Sequence, residues 1–139
     1  MAGYSKTPLA KKLGIKEGFR IAILNAPKNF TKELGSLPKN VKITKRITKP
    51  LDLIMIFSDS EKILREAFPK LASLLIENGM LWVAWPKKSS PVSTDLAFEN
   101  VQAIGLAAGL VDVKICAVDE IWSGLKFVYR LKDRPFRQP

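Results

Sequence analysis

Met80-Leu81-Trp82-Val83-Ala84-Trp85-Pro86-Lys87-Lys88-Ser89-Ser90 is an apolar run that stops abruptly in a proline and two lysines. A continuous apolar run without polar alternation is the pattern of a strand covered on both faces, and such strands belong to parallel sheets with helices above and below. Pro86 has no N–H for a ladder, so the strand ends there and the basic loop lies at its carboxyl end. The stretch predicts the middle of an α/β sheet, with polar chemistry gathered at one edge.

Working outward, Leu51–Phe57 is the most apolar run of the chain and Arg20–Leu24 is rich in β-branched residues. Both read as central strands. Val41–Arg46 alternates apolar and polar, the pattern of a half-exposed strand whose lysines protect a sheet edge. Val111–Val118 reads as a strand, Asp119–Gly124 as a turn, and Leu125–Leu131 as an antiparallel return.

Helix signals separate these runs. Thr7 is placed to cap a short helix, with Pro8 at its first position and Gly14 at its left-handed exit. A second short helix is expected from Phe30 to Gly35. Ser58-Asp59-Ser60-Glu61 fits a capping box, and Leu64, Ala67, Phe68, Leu71, Leu74 and Leu75 follow at helical spacing up to an exit at Asn78-Gly79. Pro69 is expected to split or kink this helix near Ala67. Pro91–Asp95 supplies another cap for a helix that ends at about Ala108, with Gly109 as its exit; Gly105 weakens its last turn.

Strands alternating with helices, then a closing hairpin, predict an α/β fold: a Rossmann-like mixed, mostly parallel sheet with helices on both faces and a C-terminal antiparallel hairpin. The 139 residues fit one domain, 1–139, with an N-terminal arm at 1–6 and a loose tail at 132–139.

Composition narrows the chemistry. There is no histidine, which removes the commonest general base and the commonest metal ligand, and with them a His-dependent serine triad. One cysteine and no histidine leave no basis for a zinc site. Cys116 lies in a strand, where a buried, inert thiol is the default, and a lone cysteine fits a reducing, cytoplasmic setting. No apolar run approaches the ~18 residues of a membrane span, and 1–6 lack the apolar stretch of a signal peptide. Net charge is +10, from 23 basic and 13 acidic residues, which favours anionic partners. A small anion or an acidic protein surface fits best. Nucleic acid is an alternative through bulk charge, although no known motif organises the basic residues.

The succession resembles the later half of the class I S-adenosylmethionine-dependent methyltransferase fold. The residues that carry it are Ile15–Ile21, Leu51–Phe57, Glu77-Asn78-Gly79, Met80–Trp85, and Ala107–Val113 leading into the hairpin. The resemblance implies a truncated version, short of about one early strand–helix unit. A methyltransferase carries a glycine-rich loop after its first strand, next to the cofactor's methionine part. Here Asn25-Ala26-Pro27-Lys28-Asn29-Phe30 stands in that place. The acidic residue that would hold the ribose after the second strand is replaced by Thr44-Lys45-Arg46-Ile47-Thr48. The comparison implies no cofactor bound in the usual mode, with a degenerate methyltransferase as the alternative. Gly3-Tyr4-Ser5, Thr7-Pro8-Leu9, Lys12-Leu13-Gly14-Ile15, Leu24-Asn25-Ala26-Pro27, Leu81–Lys88 and Gly109–Lys114 also look like a family of small uncharacterised bacterial proteins. That resemblance brings no catalytic residues with it.

In open α/β sheets, ligands bind beyond the carboxyl ends of the parallel strands. Four loops should meet there: Asn25–Asn29, Ser58–Ser60, Pro86–Ser90 and Asp119–Ser123. The last belongs only if Val111–Val118 runs parallel to the other strands. The candidate ligand-binding set is Asn25, Pro27, Lys28, Ser58, Trp85, Lys87, Lys88, Asp119, Glu120, Trp122 and Ser123, with no catalytic and no metal-binding residue. Lys28, Lys87 and Lys88 would neutralise an anion, Trp85 and Trp122 would give flat apolar walls, and Asp119 and Glu120 would pair with the lysines or take a cationic group. Each also has a purely structural explanation. Lys87-Lys88 suits an ordinary solvated turn, and Asp119–Ser123 suits hairpin chemistry. Trp82 and Trp85 point to opposite faces of one strand, and Trp82 is read as core.

Overall fold

The computed structural model describes residues 7–137. Its core is a six-stranded mixed sheet in the order β2-β1-β3-β4-β6-β5. The strands are β1 (Arg20–Leu24), β2 (Lys42–Ile43), β3 (Leu51–Phe57), β4 (Leu75–Pro86), β5 (Leu110–Ala117) and β6 (Trp122–Tyr129). The pairs β1–β2, β1–β3 and β3–β4 are parallel. β6 is antiparallel to both β4 and β5. Hence β5 points the same way as β4, and the hairpin turn after it lies at the carboxyl edge, as expected. The four helices are α1 (Leu9–Leu13), α2 (Phe30–Leu34), α3 (Glu61–Ala72) and α4 (Phe98–Ala107).

The helices cover both faces. Ile54, Ile56, Leu81, Val83, Trp85 and Phe127 of the sheet pack with Leu64 and Phe68 of α3 and Val101 and Ile104 of α4. On the other face Leu53, Met55, Phe57, Trp82 and Ala84 pack with Leu13 of α1 and Phe30 and Leu34 of α2. β3 and the second half of β4 therefore feed side chains alternately into two cores, and this is why their sequence shows no polar alternation. Trp82 is fully buried, and its Nε1–H donates to Leu13 O at 2.8 Å, which ties α1 to the sheet.

The boundaries of β1 and β3 match the apolar runs, and β2 lies at the sheet edge. Several local expectations are corrected. β2 pairs over two residues only, because the Thr44 hydroxyl donates to Arg46 O and accepts from Arg46 N, turning the chain away. Pro8 caps α1 rather than opening it, whereas Gly14 exits left-handed at φ 86°. The cap of α3 is Ser60, whose Oγ accepts from Ile63 N at 3.3 Å, and not Ser58. Pro69 does not split α3. The carbonyl that it leaves free belongs to Arg65, on the exposed side, where water can serve it.

α3 stops at Ala72, so Asn78-Gly79 is not its exit but part of β4. Leu51 pairs with Leu75 and Leu53 with Met80, so residues 76–79 form an irregularity in the ladder. A Cβ at Gly79 would lie 3.1 Å from both Ile76 O and Leu51 O, so any other residue would have to push the neighbouring backbone aside by a few tenths of an ångström. Leu75 kept the helical spacing because it enters the same core from the strand. β6 begins at Trp122 rather than after Gly124. The tail is not loose over its first part, since Leu131–Arg137 forms a 3-10 helix. The predicted arm at 1–6 and the last two residues lie outside the described residues. No helix among the described residues is long and apolar enough to cross a membrane.

Candidate functional site

The chain crosses β1 between its two neighbours, so the connections from β1 and from β3 leave on opposite faces: α2 on one, α3 on the other. The carboxyl ends of β1 and β3 therefore flank the crevice where an open α/β sheet takes its ligand. The loop Asn25–Asn29 borders it on one side. Asn25 is exposed and adopts φ 60°, the left-handed conformation that asparagine tolerates better than any other residue with a side chain. Pro27 O accepts from Phe30 N at 3.0 Å and starts α2, and Lys28 is exposed.

Three aromatic rings meet at the strand ends. Phe30 opens α2 and is 1% exposed. Its ring meets that of Phe57, the last residue of β3, edge to face at 4.9 Å and 70°. Phe57 in turn meets Trp122, the first residue of β6, at 5.2 Å and 84°. The stack spans from the β1 loop to the hairpin turn and covers the end of β3. A second contact closes the same span. Glu33 of α2 lies against Asp119 of the turn, and its carboxyl is held above the usual carboxylate value by burial first, then by the charge of Asp119 and their hydrogen bond.

The other candidates fall into two groups. Asp119, Trp122 and Lys87 are drawn together by the turn. Asp119 Oδ1 accepts from Ile121 N and Trp122 N, both at 2.8 Å, and Lys87 N donates to Ile121 O at 2.7 Å. Glu120 is exposed at the tip of this turn, and Ser123 sits in the ladder opposite both Trp85 and Ala117. The side chains of Ser58 and Trp85 are directed elsewhere. Ser58 is 7% exposed, and its hydroxyl donates to Ser60 O and accepts from Ser60 N. Trp85 is 5% exposed and packs into the core beneath α3 and α4, so it offers no free wall.

A shallow depression of about 430 Å³ lies beside Lys87 and Lys88, lined also by Val92, Ser93, Thr94, Asp95, Leu96 and Ala97. Thr94 and Asp95 were read as a cap for α4. They serve the loop before α3 instead: Thr94 Oγ1 donates to Asp59 O at 2.8 Å, and Asp95 Oδ1 accepts from Glu61 N at 2.8 Å. Asn100 takes over at α4, accepting from Ala97 N at 2.6 Å. Phe30, Glu33, Phe57, Thr94 and Asp95 all shape this edge, and none of them is in the candidate set drawn from the sequence. A capping signal does not say which helix it caps, and an aromatic at a strand end looks like any core residue. Among the described residues, no group of three or more Cys, Asp or Glu side chains could hold a metal ion.

No family model matches the chain, and no curated protein does. Solved structures do. A SAM-dependent methyltransferase from Aquifex aeolicus superposes with a TM-score of 0.59 at 15% identity, covering 86% of each chain. A possible exported protein from Bordetella parapertussis gives a TM-score of 0.62 at 13% identity, over 87% of this chain and 65% of that one. Magnesium protoporphyrin IX methyltransferase from Synechocystis PCC 6803, with SAH bound, gives 0.57 at 9% identity, over 88% and 78%. The chain therefore has a methyltransferase-like α/β fold, as the order of its strands and helices implied.

Proposed function

We propose that this chain is a non-catalytic methyltransferase-like domain that binds an anionic ligand at the carboxyl edge of its sheet. The observation that carries the reading is the Phe30–Phe57–Trp122 stack across the ends of β1 and β3. In this fold the cofactor needs an open crevice there, and the residues present do not fit it. Asn25, Pro27 and Lys28 stand where glycines would let the backbone approach, and Thr44–Arg46 follow β2 where a carboxylate would hold the ribose. At this edge Lys28 and Lys88 are exposed and Lys87 is partly exposed, together with Asn25 and the acidic Glu33, Asp95 and Glu120. The depression beside Lys87 and Lys88 is the place for a small anion, and an acidic surface of a protein partner would use the same lysines. Reaction chemistry is not assigned to any residue.

The fold neighbours give the competing reading its basis, since solved methyltransferases of this fold are described with SAM or SAH bound. Isothermal titration calorimetry with S-adenosylmethionine separates the two. The expected result is no saturable heat, and saturable binding in the micromolar range would overturn the proposal. In parallel, a thermal-shift panel of phosphorylated and carboxylated metabolites is expected to yield a stabilising anion. Replacing Lys87 and Lys88 together with alanine should weaken that anion's binding by about tenfold, and unchanged affinity would displace the site from this edge.

A further inference from the structure

The sheet carries a second concentration of charge, away from the strand-end edge. On the face covered by α1, Trp82 of β4, Lys126 of β6 and Lys114 of β5 stand in one row of register. Lys126 and Lys114 are direct cross-strand partners. Residues so placed have Cβ atoms roughly 4.5–5.5 Å apart, and like charges there are destabilising. A third lysine closes on the pair. Lys12 Nζ donates to Ala117 O at 3.0 Å, at the end of β5, and Lys114 Nζ donates to Lys12 O at 3.2 Å. The ammonium of Lys126 reaches the end of α1, 3.8 Å from the point where a Cβ of Gly14 would stand. Lys126 is held below the ordinary lysine value, by burial first and then by Lys114 and Lys16.

Among the described residues no ion pair joins these lysines to a carboxylate. Among the described residues the one ion pair is Arg65–Glu61, on α3 at the opposite face of the sheet. The carbonyl end of α1 faces the lysines, but a helix terminus carries only about half a unit charge. The ammonium groups of Lys114 and Lys126 both reach it. Edge protection of β5 accounts for Lys114, which is exposed, but not for Lys126, which lies on an interior strand. A lysine kept half-buried opposite another lysine costs stability unless an anion joins them.

We propose that Lys12, Lys114 and Lys126 form a binding site for a phosphate-rich anion on the α1 face of the β5–β6 hairpin. Several ammonium groups, each with donors to spare, suit an oligoanion whose phosphates are spaced along a chain. Two sources offer that chemistry: a free polyphosphate and the backbone of a nucleic acid. The site is separate from Lys87 and Lys88, so it stands or falls independently of the strand-end proposal.

The test measures binding of tripolyphosphate, by calorimetry, and of a short fluorescein-labelled single-stranded oligodeoxynucleotide, by anisotropy. The proteins are the wild type, the double variant Lys114→Ser/Lys126→Met and the control Lys87→Ser/Lys88→Ser. At least one probe should bind the wild type and the control alike and bind the double variant about tenfold more weakly or less. Without any anion, Lys126→Met alone should melt above the wild type, because the unfavourable buried charge is gone. That readout keeps the test valid if a variant folds poorly. Binding of tripolyphosphate identifies a free polyphosphate as the ligand type. Binding of the oligonucleotide alone, falling steeply with salt, identifies a nucleic-acid backbone. The proposal is overturned if neither probe binds, or if the double variant binds within about twofold of the wild type, a difference too small for the loss of even one charged contact.

Discussion

A methyl group at Gly105 would lie 2.0 Å from Cε2 of Phe127, a ring with no solvent exposure that meets Phe68 edge to face at 5.1 Å. Helix propensity alone makes glycine a liability inside α4. Its role is to let α4 lie directly on β6. Gly105→Ala should therefore destabilise the protein despite its better propensity, by about 1–3 kcal/mol for overpacking of a filled core. Urea unfolding measures it, and a neutral or stabilising result would mean that Phe127 can turn aside. Cys116 is half-buried rather than fully buried as expected. Burial raises its thiol above the ordinary value, with Lys12 and Lys114 acting against it. Trp85 was not legible. Its two possible faces differ only in which helices lie above them, and the sequence does not say which face is buried more deeply.

Between elements, the contact of α2 with the hairpin turn makes a pH-dependent prediction. The raised value of Glu33 means that folding favours its protonated form. The contribution of the contact is complete below the ordinary carboxylate value of 4.5 and is lost as pH rises through the higher folded value. Glu33→Gln keeps a hydrogen-bond donor toward Asp119 and removes the repulsion. It should raise stability at pH 7 by on the order of 0.5 kcal/mol, a small figure because the pair is solvent-screened. The gain should fade at about pH 4, where the wild-type carboxyl is itself largely protonated. Equal urea stability of the two proteins at pH 7 would remove the contact from the account. α1 shows the limits of local signals. Its glycine exit was readable, yet five residues do not hold a helix in water. Trp82 Nε1 and the burial of Ala10 and Leu13 hold it. The α3 end was misplaced for a related reason, since Leu74 and Leu75 satisfy a helical period and a strand alike.

For the molecule as a whole, a net charge of +10 with one ion pair among the described residues implies self-repulsion in the folded state. Raising sodium chloride from low ionic strength to about 0.5 M, where the screening length falls to a few ångströms, should raise the melting temperature by about 2–5 °C. A melting temperature that falls with salt would point instead to stabilising surface pairs. By itself, the sequence determined the class of fold, the two central strands and the cationic character of the chain. Apolar runs, turn residues and charge are local properties, and these features follow from them. The direction of β5 came from its pairing with β6. Only the tertiary structure decided that Phe30, Phe57 and Trp122 meet at the strand ends, and that Lys12, Lys114 and Lys126 share one face. Both depend on which strands become neighbours and on the register between them. Register is set by packing over the whole sheet, so residues more than a hundred positions apart, such as Lys12 and Lys114, meet without any local trace of it.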